Sequence, residues 1–179
     1  MEHFLKKDFR KAQELLKEAG NVHGRAVTLL NQQDFSGSIE ASQHSSELAI
    51  KSLFKMVGID PPKNHDPGKS LIRVEDKLKI LQVEEVEEGS GLERLKFLSN
   101  LLERFHQEGM YGYKGVPASK IFIERDSRYF IDCSLEIIIV CALILFLFGY
   151  RLRFLTKEEY KAIEALGKYF ALKKQPKYN

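Results

Sequence analysis

Fourteen consecutive residues, Ile137–Tyr150 (IIIVCALILFLFGY), are apolar on every side of a helix. Such a helix has no face to turn to water. It must be covered all round, either inside a bundle or at a subunit interface. At about 1.5 Å of rise per residue the run falls short of a bilayer core. Extending it backwards meets Glu136 and Asp132, and carboxylates are costly in hydrocarbon. The expectation is a buried helix with no membrane partner.

The rest of the chain supplies elements to cover it. Leu5, Phe9, Ala12, Leu16, Ala19, His23, Ala26 and Leu30 recur at a four-three spacing, a seam that packs against another helix. Gly20 and Gly24 weaken that helix, so a bend or a break is expected there. His23 on the seam reads as a core or boundary histidine, not a ligand. Over Asp34–Gly58, Phe35, Ile39, Ala49, Ile50, Leu53, Phe54 and Val57 gather on one helical face. Asp34 or Ser36 caps its start, and Gly58 ahead of Asp60-Pro61-Pro62 stops it.

Three prolines stiffen Asp60–Ser70, and a short helix follows with Leu71, Ile72, Leu78 and Leu81 inward. The glutamates of Val83–Gly91 mark a solvated loop. Ser90–Glu93 reads as a capping box opening a helix with Leu92, Leu95, Leu98, Leu102 and Phe105 inward, ending near Gly109. The long apolar helix is expected from about Ile121 to Tyr150. Thr156–Glu159 opens a last helix carrying Tyr160, Ile163, Leu166 and Phe170, before a basic tail from Lys173. No alternating strand pattern emerges. The fold class is all-α: an antiparallel up-and-down bundle of four to five main helices over 1–154, with an additional C-terminal helix and basic tail, 155–179, packed on it.

Apolar residues make up 44% and charged ones 30% of 179 residues, enough for one domain with a real core. A net charge of +3 is too small to argue for nucleic acid by itself. Cys133 and Cys141 lie eight apart in one apolar helix, where they neither pair nor space as zinc ligands. Buried thiols in a reducing cytoplasm fit them, and Met1-Glu2-His3 begins no signal-peptide pattern.

On the second helix, Gln43, Glu47 and Lys51 fall four residues apart, with His44 one position round. The line reads equally well as a surface ion pair or as part of a polar site. Asp34-Phe35, the run Ala41–Phe54, Gly58, Pro61-Pro62 and His65-Asp66 together resemble the HEPN family, the "higher eukaryotes and prokaryotes nucleotide-binding" domain. His44 stands where that family has a second glutamine, and Ser45-Ser46 where it has small apolar residues. Many members are metal-independent ribonucleases whose arginine and histidine are separated by four to six residues. The arginine steadies a phosphate while the histidine moves protons. None of His3, His23, His44, His65 and His106 follows an arginine at that spacing. Arg104 and His106, two apart, point to opposite sides of a helix.

Other members are partners of minimal nucleotidyltransferases in toxin–antitoxin-like systems, and the resemblance also implies a homodimer. It further implies a polar cleft of Gln43, His44, Glu47 and Lys51, joined by His65 and Asp66, by Tyr111, Tyr113 and Lys114, and by Arg125 or Arg128. There the cations would meet phosphates and the tyrosines would offer stacking faces. The leading expectation is a noncatalytic protein that binds a nucleotide or RNA, or that partners a nucleotidyltransferase. The alternatives are a divergent ribonuclease using His44 or His106, and a structural interaction protein. No cofactor or metal is expected, because Glu40, His44 and Glu47 share one helix and no ligands stand out on a facing one.

Overall fold

Two long amphipathic helices separated by only three residues must fold back on each other, and they do so here. The computed structural model describes residues 2–63, 67–81, 91–103 and 114–152, with 154, 156, 158 and 161. Helix α1 spans Glu2–Asn31 and α2 spans Phe35–Met56. Gln33 takes a left-handed φ of 63°, and its N–H donates to the Leu30 carbonyl at 2.9 Å, which ends α1. Asp34 Oδ1 then accepts from Gly37 N at 3.0 Å, the expected cap on α2. Gly58, at φ 74°, follows its end.

Helix α1 runs unbroken through Gly20 and Gly24, so of the two expectations there the break does not occur. Both glycines face open space, while the seam opposite, with Phe9, Ala12, Ala19 and Ala26 buried, holds α1 in one piece. Packing overrides the local propensity.

A 3₁₀ turn at Gly68–Ser70 leads into α3, Ile72–Ile80, and α4 spans Leu92–Glu103. Leu71, Val74 and Leu78 are buried, but Ile72 is 50% exposed. The three-four spacing of the buried set leaves Ile72 on the outer side, contrary to expectation. A single turn, α5 at Ala118–Ile121, precedes α6, Glu124–Arg151. Helix α6 begins three residues later than expected because Phe122 and Ile123 are extended. Phe122 is thereby buried, and Asp126 Oδ2 accepts from the Ile123 N–H at 3.1 Å.

Helix α6 lies along the α1–α2 hairpin. Ser127 Oγ donates to the Phe35 carbonyl at 2.9 Å, Ser134 meets His23, and Phe148 stacks on Phe9. Those contacts run α6 antiparallel to α1. Helix α4 crosses at the side: Arg94 near its start donates to Glu136 of α6 at 2.7 and 3.0 Å, and Leu102 near its end meets Gln43 of α2. No strand occurs among the described residues. The all-α bundle is as expected.

Ile137, Cys141, Ile144, Leu145 and Phe148 are buried, whereas Leu135, Leu143 and Tyr150 on the other side are 43%, 42% and 53% exposed. The described residues thus cover one side of the apolar helix. By length and composition alone, Glu124–Tyr150 is long and apolar enough to cross a membrane, although 44% of its most apolar stretch is buried in the fold. The length argument from fourteen residues therefore does not hold for the whole helix. Of the expected C-terminal helix only Thr156, Glu158 and Lys161 are among the described residues, and its apolar positions Tyr160, Ile163, Leu166 and Phe170 lie outside them.

Candidate functional site

Serines on α2 let neighbouring backbone come close. Ser45 Oγ donates to the Ala19 carbonyl of α1 at 2.8 Å, while Ser42 and Ser46 bond back along their own helix. On the flank of this packed side, one turn separates Gln43 from Glu47, and α4 comes down beside them. The polar lining of the recess so formed comes from Gln43, Ser46, Glu47, Ser99 and Glu103. Ile50, Pro67 and Leu102 supply the apolar edge. Its volume is about 30 Å³, room for about two waters.

Gln43 is 7% exposed. Its Nε2 donates to the Leu102 carbonyl at 2.9 Å, so the amide orientation follows from chemistry, because a carbonyl oxygen only accepts. Its Oε1 is buried without a hydrogen-bond partner. Glu47 pairs with Lys51 along α2, both largely buried. Glu103 pairs with Lys69 at 2.7 Å. Two carboxylates of the lining are thus each tied to a lysine.

Among the expected site residues, Gln43 and Glu47 line this recess, and Lys51 joins it through Glu47. His44 is exposed and outside the lining, as are Lys114, Arg125 and Arg128. Arg128 pairs with Glu124 at 2.6 Å. His65, Asp66, Tyr111, Tyr113 and His106 lie outside the described residues. Ser46, Ser99, Lys69 and Glu103 carried no signal in the sequence. They are common polar residues on three separate elements, and only the crossing of α4 over α2 assembles them.

A second contact superficially suggests nucleophilic chemistry. His23 Nδ1 lies 2.8 Å from Ser134 Oγ. Ser134, however, is fully buried and donates to the Ile131 carbonyl at 2.9 Å, so His23 is the donor and no serine proton is there to be taken. The contact is structural, a boundary histidine as expected. Burial lowers the His23 imidazole below its ordinary value of 6.5, against an opposing effect of Asp132. An unfolded chain therefore takes up a proton that the folded one resists. The contribution is fully present above pH 6.5 and lost as pH falls below it through the lowered value. The melting temperature is expected to drop on acidification over that window, and His23→Gln to flatten the drop. An equal drop in the variant would assign it to other groups.

Cys133 and Cys141 are buried, and burial pushes both thiols upward, away from the reactive thiolate. Among the described residues, no three His, Cys, Asp or Glu side chains converge as a metal site.

The recess, α2 and most of α1 and α6 fall within one family match. The model of the HEPN domain matches residues 12–142. The chain belongs to the HEPN domain family. No match was found among curated proteins or solved structures. HEPN membership gives the protein a nucleotide- or RNA-related function in general terms. All eight recess residues lie inside the matched region, and the last turns of α6 lie beyond it.

Proposed function

We propose that this HEPN protein is a noncatalytic, cytoplasmic binding protein that takes a nucleotide or acts as partner subunit of a minimal nucleotidyltransferase, and of the two the recess supports nucleotide binding. One observation carries the reading: a polar recess framed by two lysine–carboxylate pairs, Lys51–Glu47 and Lys69–Glu103. A bound phosphate would share those lysines, and charge-assisted contacts of this kind are the strong ones. The ribonuclease alternative lacks its arginine–histidine spacing in the sequence. Calorimetry on the full chain is expected to detect nucleotide binding that Lys51→Ala weakens more than tenfold, since a charged hydrogen bond contributes about 1.5–3 kcal/mol. Silence with nucleotide at millimolar concentration would remove the reading.

The same proposal includes a homodimer. Leu135, Leu143 and Tyr150 form the exposed side of α6, and a second copy supplies a matching apolar face by two-fold symmetry. Light scattering on the full chain and on a chain ending near Phe154 is expected to show a dimer at both lengths. A full-length monomer that aggregates when shortened would instead make residues 155–179 the cover.

A further inference from the structure

We propose that the recess recognises the exocyclic amino group of a nucleobase, so that the protein prefers amino-bearing nucleotides to their keto counterparts. The inference rests on the nucleotide reading above and adds which part of the ligand enters. Gln43 has one donor end, and Leu102 holds it at 2.9 Å. Its acceptor end, Oε1, is nine-tenths buried and unpartnered, an arrangement that folding tolerates poorly unless something else donates to it. The Ser46 hydroxyl hydrogen is directed to the Ser42 carbonyl at 2.9 Å, so that oxygen has only lone pairs to give the recess. Ionised Glu47 and Glu103 only accept. Gln43 Oε1, the Ser46 oxygen, Glu47 and Glu103 thus offer acceptors beside the Ser99 hydroxyl, a balance that rewards an N–H and repels a carbonyl oxygen.

Charge and size narrow the class further. Lys51 and Lys69 already neutralise the two carboxylates, so the entering group need not be a cation. About 30 Å³ admits an amino group but not a ring, and clefts that swallow whole ligands are roughly tenfold larger. The ring is left to the apolar edge formed by Ile50, Pro67 and Leu102, and the phosphates to the lysines.

Calorimetry on the full chain with ATP against ITP, and with CTP against UTP, tests this. Within each pair, the amino-bearing base gives way to a keto base with the same triphosphate. The expected result is at least tenfold tighter binding of ATP and CTP, because a site built to hydrogen-bond a group rejects the analogue that lacks it. Gln43→Met, with a melting curve to record its folding, is expected to erase the preference while leaving binding that Lys51→Ala still weakens. Equal affinities within both pairs, or a preference that survives in folded Gln43→Met, would overturn the inference and leave nucleotide binding intact. If none of the four nucleotides binds, the nucleotide reading itself fails, and this inference with it. The comparison of wild-type affinities needs no variant, so a Gln43→Met that does not fold leaves the test decisive.

Discussion

Phe148→Ala is expected to destabilise the protein by about 3–5 kcal/mol, the usual cost of emptying a phenylalanine site in a core. Phe148 is fully buried. Its ring centroid lies 6.3 Å from Phe9 of α1 and 6.4 Å from Phe154, and Phe9 and Phe154 are 5.7 Å apart. Three rings from three stretches of chain thus close one end of the bundle, with Arg10 Nη2 donating to the Phe154 carbonyl at 3.1 Å beside them. Aromatic pairs of this kind add about 0.5–1.5 kcal/mol beyond the area they bury. Urea denaturation followed by circular dichroism measures the loss. A change under about 1 kcal/mol would mean that the three rings do not pack as described. All three rings lie outside residues 12–142, so the effect would show that the family-matched region relies on flanking sequence for its stability.

Lys96→Met is expected to have the second largest effect. Glu75 on α3 is 6% exposed, and Lys96 of α4 meets its carboxylate at 2.5 Å while also reaching Glu93 at 2.7 Å. The two carboxylates hold the Lys96 ammonium above its ordinary value, Glu75 contributing most. Removing the lysine strands a carboxylate in the interior. A fully buried pair broken in this way costs about 3–5 kcal/mol, but Lys96 keeps 26% of its side chain in water, so about 2–3 kcal/mol is expected. The double variant Glu75→Leu with Lys96→Met removes both charges and is expected to recover most of that loss. If the double variant is as unstable as the single one, the loss reflects packing and not charge.

The helices were legible in the sequence because each carries its own periodicity and its own stops. Asp34 before α2 and Gly58 after it mark the boundaries that the structure shows. The boundary of α6 was less legible, since Ile121–Glu124 contains no breaker and only the burial of Phe122 decides where the helix begins. Gly20 and Gly24 left open a break that does not occur, since a local weakness counts for little where a long seam is packed. Half of the recess could be read from one helix, because Gln43, Glu47 and Lys51 share a line. The other half could not. Ser99, Leu102 and Glu103 approach only through the crossing of α4, and a backbone carbonyl such as that of Leu102 leaves no trace in residue identity. The burial of Gln43 also escaped the helical pattern, which puts it on the polar line and says nothing of a neighbour leaning over it.

The Gln43 amide joins two things through one conjugated group. Its nitrogen grips the Leu102 carbonyl of α4, and its oxygen is unpartnered. Electron density drawn toward Oε1 by any incoming donor leaves the N–H more acidic, and hydrogen bonds in such a chain strengthen one another. A donor entering the recess is therefore expected to tighten the clasp of α4 on α2 at Leu102. If the proposed ligand enters, slower exchange of the amide hydrogens along Leu92–Glu103 is the expected readout, and unchanged exchange would separate the two ends of the amide.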